Sequence, residues 1–278
     1  MNRVDRCKAL FSTGMKCAVH RTPFRALLLV TLIVAPVFPA PAQLSVSLLP
    51  DSISVAAGAL LATASLGLHA STQEMPVDID RINGFDRLAL FPYSRALDKT
   101  SDVTQIAAGA LPLALALGIE RDQAIAAGVI YVEVLSRAFF AKNTMKFLFP
   151  RVRPWVYMAP ASGSSPEEWE GNDSFPSGHA TFAFAAAAFG VTVAALDLPT
   201  RSPWFVPFVA TETGLAVVTA GLRVVSGMHF LTDVIAGAAL GTAIGVALPL
   251  VHTSWKGGSI GTPRQAARTE VPLVAIDL

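Results

Sequence analysis

Long apolar runs separated by short polar segments dominate the pattern of this 278-residue chain. Five runs each approach the length of about 17–25 residues that a helix needs to cross a membrane. They cover residues 103–119, 123–141, 180–197, 205–221 and 230–251. No strand-like alternation of apolar and polar positions is sustained anywhere. The pattern therefore predicts an all-α, polytopic membrane helical bundle of about five or six helices.

The N-terminal segment has a different pattern, which is typical of protein export. Basic residues precede the short apolar stretch Ala26–Phe38, and the sequence Ala40-Pro41-Ala42 follows it. A basic region, a short apolar core and an A-x-A site together describe a secretory signal. We therefore assign residues 1–42 to a signal peptide or, as the alternative, to an uncleaved signal anchor.

The rest of the chain divides into three parts by composition. Residues 43–102 combine a weakly apolar helix at 53–70 with a polar connector. Residues 103–252 contain the five long apolar runs and form the predicted helical domain. Residues 253–278 are rich in Gly, Ser and Arg and are expected to form a loose tail.

Composition supports a membrane protein and excludes several other classes. Hydrophobic residues make up 53% of the chain and charged residues 15%, whereas soluble domains have about 45–50% apolar and about 25% charged residues. The formal net charge is only +1, so no basic field indicates nucleic-acid binding. The two cysteines, Cys7 and Cys17, both precede the first apolar run, which argues against a disulfide scaffold or a zinc site.

Charged residues inside the apolar runs are expected to be paired. Glu133 and Arg137 are four residues apart and share one helix face, so they predict a buried structural ion pair rather than a catalytic one. Glu212 lies within another run, where a charge should face the bundle interior and have a partner.

Three short motifs carry the candidate chemistry. The first is K-x6-R-P, with Lys146 and Arg153; the second is Pro176-Ser177-Gly178-His179; the third is Arg223-x5-His229-x3-Asp233. Each motif lies at a helix end. Alternating antiparallel spans would bring these ends to one face of the bundle, so we expect the three motifs to meet there.

In this order and spacing, the motifs resemble the signature of the type 2 phosphatidic acid phosphatase (PAP2) and vanadium haloperoxidase superfamily. The family's third motif usually begins with Ser, whereas this chain has Leu222 before Arg223. The resemblance implies a PAP2-like catalytic helical domain over 103–252. It further implies a bacterial membrane lipid phosphatase that hydrolyses a lipid phosphate or diphosphate monoester, without a metal, through a phosphohistidine intermediate.

The resemblance also assigns a role to each matched residue. His229 would be the nucleophile, and Asp233, one helical turn later, would fix its tautomer. His179 would protonate the leaving alkoxide and then activate water. The phosphate oxygens would be bound by the guanidinium groups of Arg153 and Arg223 and the ammonium group of Lys146. Ser177 and Gly178, at the start of a helix, would also contribute. No cluster of carboxylates is placed for Mg²⁺, so we predict no metal and no cofactor.

Several alternatives stay open at this point. A soluble or peripheral non-specific acid phosphatase, a vanadate-dependent haloperoxidase and a non-enzymatic membrane protein would each account for part of the pattern. The expected partners are a lipid phosphate substrate and membrane lipids, with no nucleic acid, and the sequence does not indicate the oligomeric state.

The expected location is the bacterial inner membrane, with the active site on the periplasmic side. This orientation requires that 53–70 does not span the membrane. If 53–70 spans and the signal is removed, the site faces the cytoplasm instead.

Overall fold

The computed structural model describes residues 42–67, 77–162, 171–197 and 202–255. These residues form seven α-helices: α1 (Leu48–Ala64), α2 (Arg95–Ala110), α3 (Arg121–Leu148), α4 (Pro154–Ser162), α5 (Gly178–Asp197), α6 (Phe205–Val225) and α7 (Leu231–Val251). The predicted all-α bundle is therefore confirmed. The predicted export signal lies outside the described residues, apart from Ala42.

Five of the described helices are long and apolar enough to cross a membrane. They are Arg95–Leu117, Arg121–Leu148, Gly178–Leu196, Phe205–Val225 and Leu231–Val251. The first joins α2 to a 3-10 helix, Leu111–Leu117. The five correspond to the five predicted apolar runs, and α1, with 17 residues, is not among them.

Contacts between helix ends fix the direction of each helix. At one end of the bundle, Gln123 near the start of α3 accepts a 2.8 Å hydrogen bond from the N–H of Leu44. At the other end, Asn143 near the end of α3 donates a 3.0 Å bond to Ser65, just after α1. Helices α1 and α3 therefore run parallel, and both end beside the starts of α2, α5 and α7.

Helix α5 is the centre of the bundle, because apolar clusters pack on both of its sides. Its contact with α7 is especially close. A Cβ atom at Gly237, Gly241 or Gly245 would overlap backbone oxygens of α5. Small residues at four-residue spacing let two helix backbones approach, so these glycines hold the start of α7 against the start of α5.

Two details differ from the sequence-based expectations. Helix α2 begins at Arg95 rather than near 103, because Asp98, Ser101 and Asp102 in its first turns contact Arg223 and His179. Residues Thr253–Trp255, expected in the loose tail, form a strand that pairs antiparallel with Ala42–Leu44. The remainder of that tail lies outside the described residues.

The charges within the apolar runs behave in two ways. Arg137 lies 3.5 Å from Glu133, and the Glu133 side chain is buried, as predicted. Glu212 is also fully buried, but neither carboxylate oxygen has a hydrogen-bond partner among the described residues. The expected partner of Glu212 is therefore missing from the described part of the bundle.

Candidate active site

The three motifs meet at one cavity of about 470 Å³ at the end of the bundle where α3 and α6 finish. Six of the eight candidate residues line it: Lys146, Arg153, Gly178, His179, Arg223 and His229. The other two, Ser177 and Asp233, are fully buried behind its wall.

The first motif is held by the end of α3 and the start of α4. Lys146 lies in the last turn of α3, and its ammonium donates a 2.6 Å bond to the carbonyl of Asp173. Arg153 directly precedes Pro154, the first residue of α4, where proline suits a helix start. The Arg153 N–H donates to the carbonyl of Gly171 at 2.8 Å, which ties this motif to the segment before the second one.

The second motif forms the beginning of α5. The Ser177 N–H donates a 3.0 Å bond to the carbonyl of Asp233, so this N–H joins the starts of α5 and α7 instead of pointing into the cavity. The Ser177 hydroxyl accepts a 3.4 Å bond from the N–H of Ala180. Gly178 and His179, one and two residues later, line the cavity at the N-terminus of α5, which favours anions.

His229 is buried between the third motif and the segment before α5. Its Nδ1 lies 2.7 Å from the carbonyl oxygen of Ser174. Because a carbonyl can only accept, Nδ1 carries the proton and Nε2 is the unprotonated nitrogen. Burial, followed by the positive charges of Arg153, Arg223 and Lys146, lowers the pKa of His229 well below its usual value. The imidazole is therefore neutral near pH 7, as a nucleophile must be.

Asp233 acts on His229 indirectly. Its carboxylate is 3.8 Å from Nδ1 of His229, whereas it accepts a 2.6 Å bond from the Ser174 hydroxyl and a 2.8 Å bond from the Phe230 N–H. The expectation that Asp233 itself fixes the tautomer is thus corrected: the carbonyl of Ser174 does so. The one-turn geometry assumed for the pair does not apply, because His229 precedes α7.

Arg151 links the motifs to the connector that precedes α2. Its guanidinium donates to Asp233 at 2.5 Å and to Asp86 at 2.7 Å. Burial alone would raise the pKa of Asp86, but hydrogen bonds from Arg151, Thr232 and Asn83 outweigh it and the pKa is lowered. Asp86 is therefore charged, and Arg151 holds two buried carboxylates together.

Two carboxylates of α2 that belong to none of the three motifs contact site residues. Asp98 forms an ion pair with Arg223. Asp102, one helical turn later, lies with its Oδ1 2.8 Å from Nε2 of His179. The four-residue spacing of these acids on one helix face was the available signal, but it fell within the predicted polar connector.

Among the described residues, no group of three or more His, Cys, Asp or Glu side chains is placed to hold a metal ion. The groups that converge on the cavity are instead cations and imidazoles. Its wall carries four cations, Lys142, Lys146, Arg153 and Arg223, and one carboxylate, Asp173. Such a wall is suited to bind an anion with several oxygens.

Comparison with known proteins agrees with this geometry. Over 106 residues the chain is 33% identical to a protein of Porphyromonas gingivalis named lipid A 1-phosphatase, and the match covers 37% of this chain but only 19% of that relative. No solved structure matches significantly. A sequence model of the PAP2 superfamily matches residues 126–256, which include all three motifs. Over these residues, which are just under half of the chain, the sequence is therefore similar to the PAP2 superfamily.

Proposed function

We propose that the protein is a membrane phosphatase that hydrolyses a lipid phosphate or diphosphate monoester through a phosphohistidine at His229. One observation carries the proposal. The hydrogen bond from Nδ1 of His229 to Ser174 leaves Nε2 unprotonated, on a residue that lines a cavity with four cations and one carboxylate on its wall. A buried neutral imidazole beside an anion site is what attack on a phosphate requires.

The substrate phosphate would bind among the three cations of the motifs. Arg153 and Arg223 can each offer two parallel N–H donors to phosphate oxygens, and Lys146 adds a compact positive charge. All three are buried, so water screens them little. They would stabilise the charge that spreads over the equatorial oxygens as the phosphoryl group moves.

The proposed reaction has two steps. In the first, Nε2 of His229 bonds to phosphorus, the ester P–O bond breaks with its electron pair going to the leaving oxygen, and His179 protonates that oxygen. In the second, His179 takes a proton from water, the water oxygen attacks phosphorus, and inorganic phosphate leaves His229.

Asp102 is the positioning residue for His179 in this scheme. Its carboxylate lies 2.8 Å from Nε2 of His179, so Nε2–H is directed to Asp102 and Nδ1 is the nitrogen that exchanges a proton with substrate and water. The negative charge also favours the protonated imidazole that donates its proton in the first step and forms again in the second.

A lipid is the proposed substrate class for two reasons. The cavity lies at one end of five helices that are apolar enough to cross a membrane, so an amphiphile can present its headgroup there. The matched relative is named a lipid A 1-phosphatase, which makes a phosphate on a lipid A a natural first candidate.

The test is phosphate release by purified protein from phosphatidate, phosphatidylglycerol phosphate, a polyprenyl diphosphate and lipid A, with and without a metal chelator. Wild type should release phosphate from at least one of them, with the chelator present, and His229→Ala should not. If wild type acts on none, the proposed enzyme is wrong. If His229→Ala is as active as wild type, the mechanism is wrong.

For location, we propose the bacterial inner membrane with the cavity on the periplasmic side. With an exported N-terminus, this orientation requires that α1 does not cross the membrane, whereas the bond between Leu44 and Gln123 puts the start of α1 at the end of the bundle opposite the cavity. A topology reporter inserted after Pro160 should be active only in the periplasm. Activity of this reporter only in the cytoplasm would show that the proposed orientation is wrong.

A further inference from the structure

The cavity contains a cation, Lys142, that no family motif includes. Lys142 precedes Lys146 by one turn of α3, so the two ammonium groups lie on one helix face. Lys146 has Asp173 at 3.5 Å and Arg223 has Asp98. Within the described residues, Lys142 forms no ion pair: its ammonium donates to Asn143 at 2.5 Å and lies 4.5 Å from the centre of the Phe139 ring.

Neighbouring polar groups hold this part of the wall in place. The Asn143 amide donates a 3.0 Å bond to the Ser65 hydroxyl, which leaves its oxygen directed to Lys142. Ser65 and Gln105 line the same cavity. Ser65 and Gln105 therefore add hydrogen-bond donors near the ammonium. Asp173, the one carboxylate on the cavity wall, also attracts Lys142, but its close ion pair is with Lys146.

Lys142 lies close to the start of α5 and shares its cavity with apolar groups. A Cβ atom added to Gly178 would be 3.2 Å from Cδ of Lys142, so the lysine stem passes the N-terminus of α5. Leu66, Phe139 and Phe182 line the same cavity. A lipid whose phosphate binds beside His229 can therefore place its chain against these apolar groups.

A half-buried cation that forms no close ion pair loses hydration and gains little in return, unless an anion binds beside it. We propose that Lys142, held in place by Asn143 and accompanied by Gln105, forms a second anion subsite that takes the inner phosphate of a lipid diphosphate while the outer phosphate occupies the catalytic site. The inference rests on the proposed function and narrows its substrate class to lipid diphosphates.

The chemistry balances without any further reactant. The outer phosphoryl group passes to Nε2 of His229, the bond from its phosphorus to the bridging oxygen breaks, and the electron pair stays on that oxygen. The leaving group is the lipid monophosphate, and water then releases the outer group as inorganic phosphate. Lys142 would stabilise the charge that develops on the inner phosphate.

The test compares an isoprenyl diphosphate with the monophosphate of the same alcohol. Wild type should have the higher kcat/KM on the diphosphate. Lys142→Met should lower this value by about tenfold or more, as expected for loss of one charged stabilising group, and change the monophosphate value by less than about threefold. Lys142→Arg should restore part of the loss. Arg121→Gln, which removes an exposed charge from the start of α3, is the matched control and should change neither value.

A binding measurement separates the subsite from turnover. Methylenediphosphonate and inorganic phosphate are used as competitive inhibitors, and Lys142→Met should raise the inhibition constant of the first but not of the second. If Lys142→Met weakens kcat/KM on both substrates and binding of both inhibitors equally, Lys142 belongs to the catalytic phosphate site and the inference is wrong. The inference is also wrong if none of these values changes.

Two outcomes concern wild type. If wild type hydrolyses only monophosphates, the subsite is wrong but the proposed function stands. If wild type is inactive on both substrates, the proposed function itself is contradicted.

Discussion

Two clusters of charged residues lie near opposite ends of α7, and they differ in how their charges are balanced. The tether cluster consists of Asp51, Glu133, Arg137 and His252. Glu133 has Arg137 at 3.5 Å and His252 at 3.0 Å, and His252 has Asp51 at 3.6 Å. Two carboxylates are thus matched by one arginine and one histidine, and together they fasten α1 and α3 to the end of α7.

In the cavity cluster several members are also paired: Arg223 with Asp98, Lys146 with Asp173 and His179 with Asp102. The cluster is formed by Lys142, Lys146, Arg153, Arg223, His179 and His229. Its wall presents four cations and one carboxylate to an open space of about 470 Å³. Buried ion pairs occur in structural networks as well as at functional sites, and both clusters are partly buried. The difference lies in the excess of one charge at a cavity, which calls for a ligand of the opposite charge.

The two histidines sharpen this comparison most strongly. His229→Ala should lower kcat by at least about 10³-fold, because it removes the nucleophile. His252→Ala removes a partly buried histidine from the tether cluster and should leave kcat within about twofold of wild type, since nothing there touches substrate. Both variants are compared by phosphate release at equal folded protein. Equal activity of the two variants would contradict the view that the cavity cluster is catalytic and the tether cluster is structural.

Asp102→Asn should have the next largest effect. Loss of the carboxylate weakens orientation of His179 and its protonated form, so turnover of a lipid phosphate should fall by about 10–100-fold, within the range of acid–base catalysis. An aryl phosphate with a good leaving group needs little proton donation, and its turnover should fall by less than about fivefold. A uniform loss on both substrates would mean that Asp102 merely supports the fold.

Glu133→Gln should affect stability instead of activity. The amide cannot replace the charge between Arg137 and His252, which should cost a few kcal/mol and lower the unfolding temperature by about 5 °C. The kcat should stay within about twofold of wild type. Thermal unfolding in detergent, followed together with activity, checks both. A large loss of kcat without loss of stability would give the tether cluster a catalytic role.

The smallest expected effect concerns pH. The pKa of His229 is lowered well below 6.5 by burial and by neighbouring cations, so its neutral, nucleophilic form persists as the pH falls. Between pH 7.5 and 6.5, kcat should therefore not decline through protonation of His229. A decline in the rate of enzyme phosphorylation with a midpoint near pH 6.5 would contradict this assignment. The rate of water attack on the phosphorylated enzyme, measured separately, serves as the comparison.

The helices and the motifs were predictable because both depend on residues close in sequence. Apolar runs are themselves the signal for spans, and the spacing within each motif follows from one helix end. Asp98 was not predictable in the same way, because its partner Arg223 is 125 residues away. Asp86 and Asp102 made their connector appear polar, and only the folded chain reveals that these acids face the site.

The tautomer of His229 could not be predicted from the sequence for a different reason. Its partner is the backbone carbonyl of Ser174, which any residue at that position would provide, so no side-chain pattern marks it. Asp233 was correctly singled out by the motif, yet its contact to the Ser174 hydroxyl depends on how the segment before α5 folds over the start of α7.

The most direct test of the account is to trap the phosphorylated enzyme. Protein is mixed with a ³²P-labelled lipid phosphate, quenched in base within milliseconds to seconds, and digested to locate the label. The account predicts an acid-labile, base-stable phosphohistidine at His229, absent from His229→Ala and present in His252→Ala. Label on another residue, or active turnover with no covalent label under any quench, would contradict it.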